Sequence, residues 1–263
     1  MILHVVQVSS FLQCLIKNVM IYGTESIIER SKISKLKMLV TENNPLNITT
    51  PYFNDNNLPE KFDIILSNPP FSLKIPKNTQ KHFCIYGEPV VSNADFIFLQ
   101  FCIYKLKNNG RAAIIMPDSV LFRSGKEQEI RKSFIEKGHI STIIFLPKGI
   151  FRNTSVPTSI LLLRKQNDYD DILFIDARDK TTFNNDLIIN LFTERKNNKL
   201  SKIVKKSEIA DNDYNLSAAL YFKEETETPE IEQLIGNQKY LSSKLQDLHY
   251  DFIHTISRLS QKI

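Results

Sequence analysis

Short apolar runs alternate with helical segments through the middle of the chain. Four runs rich in isoleucine and leucine have the continuous apolar character of strands that are covered on both faces, at 62–66, 111–116, 140–146 and 158–163. The pattern predicts a buried helix over 93–103, which begins at the capping pair Ser92 and Asn93 and ends before Asn108-Asn109-Gly110. A more polar helix is predicted over 126–137. This alternation is typical of an α/β protein with a doubly wound sheet.

The last two runs of the series predict a different kind of pairing. Runs 158–163 and 172–176 are separated only by a short polar stretch around residues 167–170. A parallel crossover needs a dozen or more residues, so these two strands are expected to pair antiparallel at an edge of the sheet.

The composition changes after about residue 179. A helix is predicted over 185–192, and residues 195–206 carry six lysines and arginines with no acid, which is typical of a solvated basic face or of a contact to nucleic acid. A long helix is predicted after Pro229, because apolar residues recur every three or four positions. These positions are Leu241, Leu245, Leu248, Phe252, Ile256, Leu259 and Ile263. The resulting apolar seam packs either on its own domain or on a partner chain.

Composition limits the function classes. The chain has 263 residues, a net charge of +5 and three cysteines without metal-ligand spacing, which favours a reducing compartment such as the cytoplasm. The apolar opening has no basic flank and is interrupted by polar residues, so neither a signal peptide nor a spanning helix is predicted. The seven glycines are all more than ten residues apart, which excludes a glycine-rich phosphate loop.

The tetrapeptide Asn68-Pro69-Pro70-Phe71 is the strongest candidate for chemistry. It directly follows the predicted strand 62–66, and ligands of open α/β sheets bind at the carboxyl ends of strands. Pro69 disfavours a helical conformation of Asn68, and the two prolines stiffen the turn. Such a turn suits an exocyclic amine: the Asn68 side-chain oxygen and the Pro69 carbonyl would accept its two protons while Phe71 stacks on the base. A base in a duplex would have to be flipped out first.

Several segments together resemble a known family. They are 62–71, 93–100, 110–122, 146–151, Asn153-Thr154, Pro157-Thr158 and 212–216. Their order and spacing are similar to the methylation subunit of type I restriction-modification systems, an adenine-N6 DNA methyltransferase that uses S-adenosylmethionine. The resemblance implies a Rossmann-like methyltransferase sheet followed by a helical C-terminal region. It also implies that double-stranded DNA, a DNA-specificity subunit and a restriction subunit are partners.

The resemblance assigns roles to individual residues. Asn68, Pro69, Pro70 and Phe71 would form the catalytic turn, with Phe71 stacking on the target adenine. Phe151 would be a second aromatic contact, or a core residue. Asp95 and Phe96 would line the region between cofactor and substrate, although an acid in the first turn of a helix also complements the helix dipole. The amine would attack the methyl group directly, without a nucleophilic cysteine.

The chain also departs from the family. The acidic-Pro-x-x-Gly-x-Gly cofactor loop is absent, and no acid is recognised after the second strand, where the family holds the ribose. Residues 17–23 resemble a helix, and Glu42 or Asn43 is the nearest substitute for an expected Gly-Asp pair. We therefore expect an N-terminally truncated chain that lacks the first strands, so that strand 62–66 has an uncovered edge.

These departures define the expected domains and alternatives. The regions are a remnant of the cofactor-binding half (1–60), the catalytic half (61–180) and a helical C-terminal region (181–263). The alternative to a methyltransferase subunit is a non-catalytic remnant or split-gene fragment that retains only partner docking. A related enzyme that methylates RNA or protein glutamine is disfavoured by the long helical tail and by segment 212–216.

Overall fold

The computed structural model describes most of the chain up to residue 222. The described residues are 2–5, 19–50, 53, 58–75, 82–89, 93–151, 155–166, 169–181, 183–222, 238 and 244. The chain divides into two compact units, residues 1–222 and residues 223–263. The seven apolar positions that are predicted to form the seam of the terminal helix lie outside the described residues.

One sheet organises the first unit. Its described strands are β1 (Ile2–Val5), β2 (Ile21–Thr24), β3 (Ile48–Thr49), β4 (Phe62–Ser67), β5 (Leu106–Pro117), β6 (Ile140–Phe145), β7 (Thr158–Arg164), β8 (Asp171–Asp176) and β9 (Ser201–Lys205). Their order is β3-β2-β1-β4-β5-β7-β6-β8-β9. Only β7 and β9 run antiparallel to their described neighbours. The predicted α/β class is thereby confirmed.

Six described α-helices connect the strands or follow them. They are α1 (Ile28–Val40), α2 (Asp95–Lys105), α3 (Lys126–Glu136), α4 (Asn185–Glu194), α5 (Lys206–Asp211) and α6 (Ala218–Tyr221). The predicted helix 126–137 agrees with α3 to within one residue. Helix α2 begins and ends two residues later than the predicted helix 93–103, and it stops at Lys105 because Leu106 is extended and enters β5 directly.

The sheet is buried on both faces at β6 and β8, as the continuous apolar runs predict, whereas Ile64 on β4 is 38% exposed. Along β6 and β8, alternate residues belong to two different apolar clusters: Ile143 and Phe174 pack with α2 and α3, whereas Ile144 and Leu173 pack against α4. Because successive side chains of a strand point to opposite faces, every residue of β6 is buried.

Two expectations about the sheet are wrong. The runs that form β7 and β8 do not pair with each other, because β6 lies between them and pairs with both. The edge of β4 is not uncovered either. The short apolar segment β1 pairs with it in parallel, with Ile2 opposite Ile64 and Val5 opposite Ser67. The expectation of a helix over 17–23 is also wrong in part, because Ile21–Thr24 form strand β2.

The basic segment 195–206 contains the edge strand β9. Arg195 pairs with Asp171 and lies over the Tyr169 ring, and Lys206 lies 3.4 Å from Asp170. The remaining lysines of the segment are exposed, at positions 196, 199, 202 and 205. Lysines on an edge strand discourage pairing with another sheet, so part of this charge serves the fold itself.

Candidate active site

The strand order reverses at β1, and this reversal locates the site. From β1 the chain proceeds outward to β2 and β3, then crosses back to β4 on the other side of β1. In open α/β sheets, a ligand crevice forms at such a switch point, outside the carboxyl ends of the strands. Glu25 follows the carboxyl end of β2, and Asn68 follows the carboxyl end of β4. Both residues therefore lie at the edge where a ligand is expected.

The Asn68–Phe71 turn leaves the sheet with its amide side chain exposed. Pro69 is buried, and Phe71 is half-buried. The next residue, Ser72, has a φ of 54°, a left-handed conformation that residues with a side chain rarely adopt. The turn is anchored just beyond this point, since the Ala94 N–H donates a hydrogen bond of 2.8 Å to the Leu73 carbonyl. The turn is thus stiffened by two prolines at one end and tied to the start of α2 at the other.

Asp95 links the turn to the rest of the domain. Its side chain is completely buried, and its Oδ1 accepts a 3.2 Å hydrogen bond from the Ser72 N–H. Its Oδ2 accepts a 2.9 Å hydrogen bond from Arg123 Nη1. Arg123 Nη2 in turn donates to the Ser119 hydroxyl at 2.7 Å. Asp95 therefore holds the backbone directly after the predicted turn Asn68–Phe71 and connects it, through Arg123, to Ser119.

A second buried arginine secures the segment that carries Arg123. Arg131, on α3, donates hydrogen bonds to the carbonyls of Arg123 at 2.8 Å, Val120 at 3.1 Å and Tyr214 at 2.7 Å. Tyr214 belongs to the 212–216 segment that contributed to the family resemblance. Next to this cluster, burial raises the pKa of the Glu127 carboxyl, even though Arg123 lies 3.5 Å away and opposes the shift.

Glu25 is a candidate that the sequence analysis missed. It follows β2 directly, it is only 2% exposed, and its Oε1 accepts the Ile27 N–H at 2.9 Å. Its own N–H donates to the Thr49 carbonyl, at the end of the neighbouring strand β3. The statement that no acid follows the second strand is therefore wrong. The signal is the run Ile21-Tyr22-Gly23-Thr24 followed directly by Glu25, which locally resembles the end of a helix but forms strand β2.

Glu42 and Asn43 do not take the place of the missing Gly-Asp pair. They follow the carboxyl end of α1 and precede β3, which begins at Ile48. Because α1 returns the chain between two parallel strands, these two residues lie at the amino edge of the sheet, opposite the site. That expectation is wrong, and the residue that follows β3 at the correct edge is Thr50.

The structure places the other predicted residues in apolar surroundings. Phe96 is 1% exposed in the core cluster between the sheet and α2. Phe151 is half-buried and packs against the cluster that contains Ile144 and Leu146. Burial raises the pKa of the Cys102 thiol to about 12, which leaves it in the inert, protonated form near neutral pH.

Among the described residues, no group of three histidine, cysteine, aspartate or glutamate side chains is arranged to hold a metal ion. No described helix is long and apolar enough to cross a membrane.

The fold and the site together define a class. A mostly parallel sheet with antiparallel β7 between β5 and β6, and with a polar turn after β4, is the Rossmann-like fold of methyltransferases. The family model for N-6 DNA methylases matches residues 4–230, and the chain belongs to this family. A type I restriction-modification methyltransferase subunit from Streptococcus thermophilus has a similar crystal structure. Its TM-score is 0.72 at 28% identity, over 83% of this chain and 53% of that one.

Curated relatives have the same description. The type I restriction enzyme MpnII methylase subunit of Mycoplasma pneumoniae is 31% identical over 72% of this chain and 40% of its own length. The EcoKI methylase subunit of Escherichia coli K12 is 37% identical over 46% of this chain and 24% of its own length. The chain therefore spans less than half the length of these two relatives.

Proposed function

We propose that this chain supplies the catalytic half of an adenine-N6 DNA methyltransferase in a type I restriction-modification system. The observation that carries the proposal is the stiff Asn68–Phe71 turn at the carboxyl end of β4, beside the switch point of the sheet. The names of the relatives support it, since both are type I restriction methylase subunits.

The turn supplies two acceptors for one amine. The Asn68 side-chain oxygen and the Pro69 carbonyl accept the two N–H groups of the adenine amine, and Phe71 stacks on the ring. Holding both protons in fixed directions draws the nitrogen lone pair out of conjugation with the ring and directs it toward the methyl donor. The adenine reaches the turn only when it is flipped out of the duplex, because its amine is paired and enclosed inside the helix.

S-adenosylmethionine is the proposed cofactor, and Glu25 fits one end of it. When bound, it supplies a methyl group on a sulfonium centre that a nitrogen lone pair attacks directly. Glu25 is a buried carboxylate at the site edge, and an ionised carboxylate only accepts hydrogen bonds, which suits two ribose hydroxyls. Asp95 and Phe96 remain proposed as the lining between cofactor and base, with Asp95 acting through the turn that it contacts.

We propose that the partner molecules bind the C-terminal part of the chain. The exposed lysines of segment 195–206 are proposed to contact the DNA backbone, and the C-terminal helical region is proposed to contact a DNA-specificity subunit. A restriction subunit completes the assembly, which would act in the cytoplasm. Phosphate contacts of this kind position an enzyme on DNA but do not read its sequence.

A specific observation favours a second candidate function, a non-catalytic remnant. Residues 6–18, which separate β1 from β2 in the sequence, include no glycine. Close approach of backbone to a cofactor ordinarily uses glycine, because any side chain would intervene. On this alternative, the chain keeps the base-binding turn and the docking region but binds S-adenosylmethionine too weakly to react.

Methyl transfer and cofactor binding separate the two candidates. DNA would be incubated with S-adenosylmethionine and the chain, with and without a type I specificity subunit, and N6-methyladenine would be counted by mass spectrometry. The proposed enzyme forms N6-methyladenine, Asn68→Ala abolishes it, and Asn108→Ala preserves it, because Asn108 is exposed at the opposite edge of the sheet. Absence of product together with no calorimetric binding of S-adenosylmethionine would establish the remnant. Full activity of Asn68→Ala would refute the assigned role of the turn.

A further inference from the structure

The Asn68–Phe71 turn has a charged neighbour that is withdrawn from water. The Asp95 side chain is 0% exposed, and its two oxygens face two different partners. Oδ1 accepts the N–H of Ser72, the first residue after the turn, and Oδ2 accepts a hydrogen bond from Arg123. The carboxylate therefore stands between the turn and a single guanidinium group.

The contact with Ser72 acts on the conformation of the turn. Ser72 is left-handed, and an L-residue keeps this conformation only when its surroundings hold it there. A hydrogen bond from a backbone N–H to a charged acceptor is stronger than one to a neutral acceptor. Asp95 is thus well suited to hold Ser72 in place, provided that the carboxylate itself stays in place.

Arg123 meets that condition. A carboxylate buried away from water needs a cation partner, and the described structure gives Asp95 the guanidinium of Arg123 at 2.9 Å. Arg123 is itself fixed at both ends: its Nη2 donates to Ser119, and its carbonyl accepts from Arg131. Arg123 is 28 residues from Asp95 in the chain, so this support is tertiary.

We propose that Arg123 is a positioning residue: acting through Asp95 and the Ser72 N–H, it holds the Asn68–Phe71 turn in the conformation that grips adenine. The inference rests on the proposed function, and it deepens that function by adding a residue that touches neither base nor cofactor. Loss of the Arg123 charge loosens the turn while the sheet that carries it stays folded.

The sequence offers a clean reporter for this inference. The chain contains no tryptophan, so Phe71→Trp places a single fluorophore within the turn and keeps an aromatic ring there. Acrylamide quenching of this tryptophan measures how well the turn is shielded, without any ligand. In the Phe71→Trp background, we expect Arg123→Met to raise the quenching constant about twofold through local opening. Arg123→Lys, which keeps the charge, restores part of the shielding.

A matched control separates local from global effects. Arg195 forms the corresponding arginine–aspartate pair with Asp171, on strand β8. Arg195→Met therefore removes a similar ion pair and is expected to leave the quenching constant unchanged. Equal shielding in folded Arg123→Met and in its parent, with folding checked by circular dichroism, would overturn the proposal.

A double variant covers the case in which Arg123→Met fails to fold. Asp95→Asn combined with Arg123→Met removes the buried Asp95 charge together with its partner, and Arg131 remains as a cation near the buried Glu127, so this protein is expected to fold. Its turn is expected to remain as open as in Arg123→Met, because Ser72 has lost its charged acceptor. If the double variant shields the tryptophan as fully as the parent does, the proposal fails.

A binding measurement keeps this inference distinct from the proposed function. The unsubstituted chain would be titrated with a single-stranded oligonucleotide that carries one adenine, and with the same strand carrying purine, which lacks the amine. Arg123→Met is expected to reduce the preference for adenine, whereas Arg195→Met keeps it. If the unsubstituted chain shows no preference for the adenine strand, the proposed function is contradicted, while the quenching result still decides the role of Arg123.

Discussion

Arg131 provides the sharpest test of the packing around the site. Its side chain is 3% exposed, and its guanidinium donates to three backbone carbonyls, those of Val120, Arg123 and Tyr214. These bonds join α3, the segment that carries Arg123, and the 212–216 segment. The substitution Arg131→Met keeps most of the aliphatic volume and removes all three donors.

The magnitude follows from these contacts. A hydrogen bond from a charged donor contributes about 1.5–3 kcal/mol, and a buried carbonyl left without a donor is costly. Part of the gain is offset by burial of the guanidinium, which lowers the pKa of Arg131 to about 10. We therefore expect Arg131→Met to reduce the free energy of unfolding by about 3 kcal/mol.

Urea unfolding followed by far-ultraviolet circular dichroism measures this loss. The slope with denaturant should stay constant, so that the midpoint reports stability alone. Gln128→Leu is the matched control, because half-buried Gln128 donates a solvent-exposed hydrogen bond to the neighbouring Asp213 carbonyl. That control should change stability by no more than about 0.5 kcal/mol. A loss below about 1 kcal/mol for Arg131→Met would refute the reasoning.

Two further predictions concern buried groups away from the site. Burial lowers the pKa of His139 below its ordinary 6.5, and its Nε2 lies 2.5 Å from the Tyr86 hydroxyl. The unfolded chain takes up this proton at a higher pH than the folded chain does. Stability should therefore fall as the pH drops below about 6.5, and His139→Gln should flatten this part of the urea-midpoint profile. Gly110→Ala should cost about 1–3 kcal/mol, because the new Cβ would lie 2.9 Å from the Phe62 carbonyl oxygen. Exposed Asn109→Ala is its control, and equal midpoints for these two variants would contradict the prediction.

Local pattern was sufficient for the central part of the fold. The apolar run of β4 and the helix α3 agree with prediction to within one residue, because apolar character and capping are local properties. The turn after β4 was recognisable for the same reason: proline restricts its own backbone and that of the residue before it.

Local pattern does not predict which strands pair with each other in the sheet. β1 is only four residues long and includes His4, so nothing local marks it as the central neighbour of β4. The insertion of β6 between β7 and β8 depends on which strands meet in space. β9 was missed because its lysines resemble a solvated segment, and it becomes a strand by pairing with β8.

The candidate site shows the same division. Asn68–Phe71 was identified from residue type and position, whereas Glu25 required the knowledge that β2 ends at Thr24. The Arg123–Asp95 pair joins residues that no periodicity relates. The contacts that hold the turn are tertiary, and only the structure reveals them.

The central claim is that the Asn68–Phe71 turn recognises the amine of adenine. Its most direct test is the ratio of the dissociation constants for two single strands that differ only in one base, adenine or purine. Two hydrogen bonds of about 0.5–1.5 kcal/mol each predict that the chain binds the adenine strand about 5- to 150-fold more tightly. Asn68→Ala should lose most of this preference, and Asn108→Ala should keep it. Equal affinity of the unsubstituted chain for the two strands would contradict the claim.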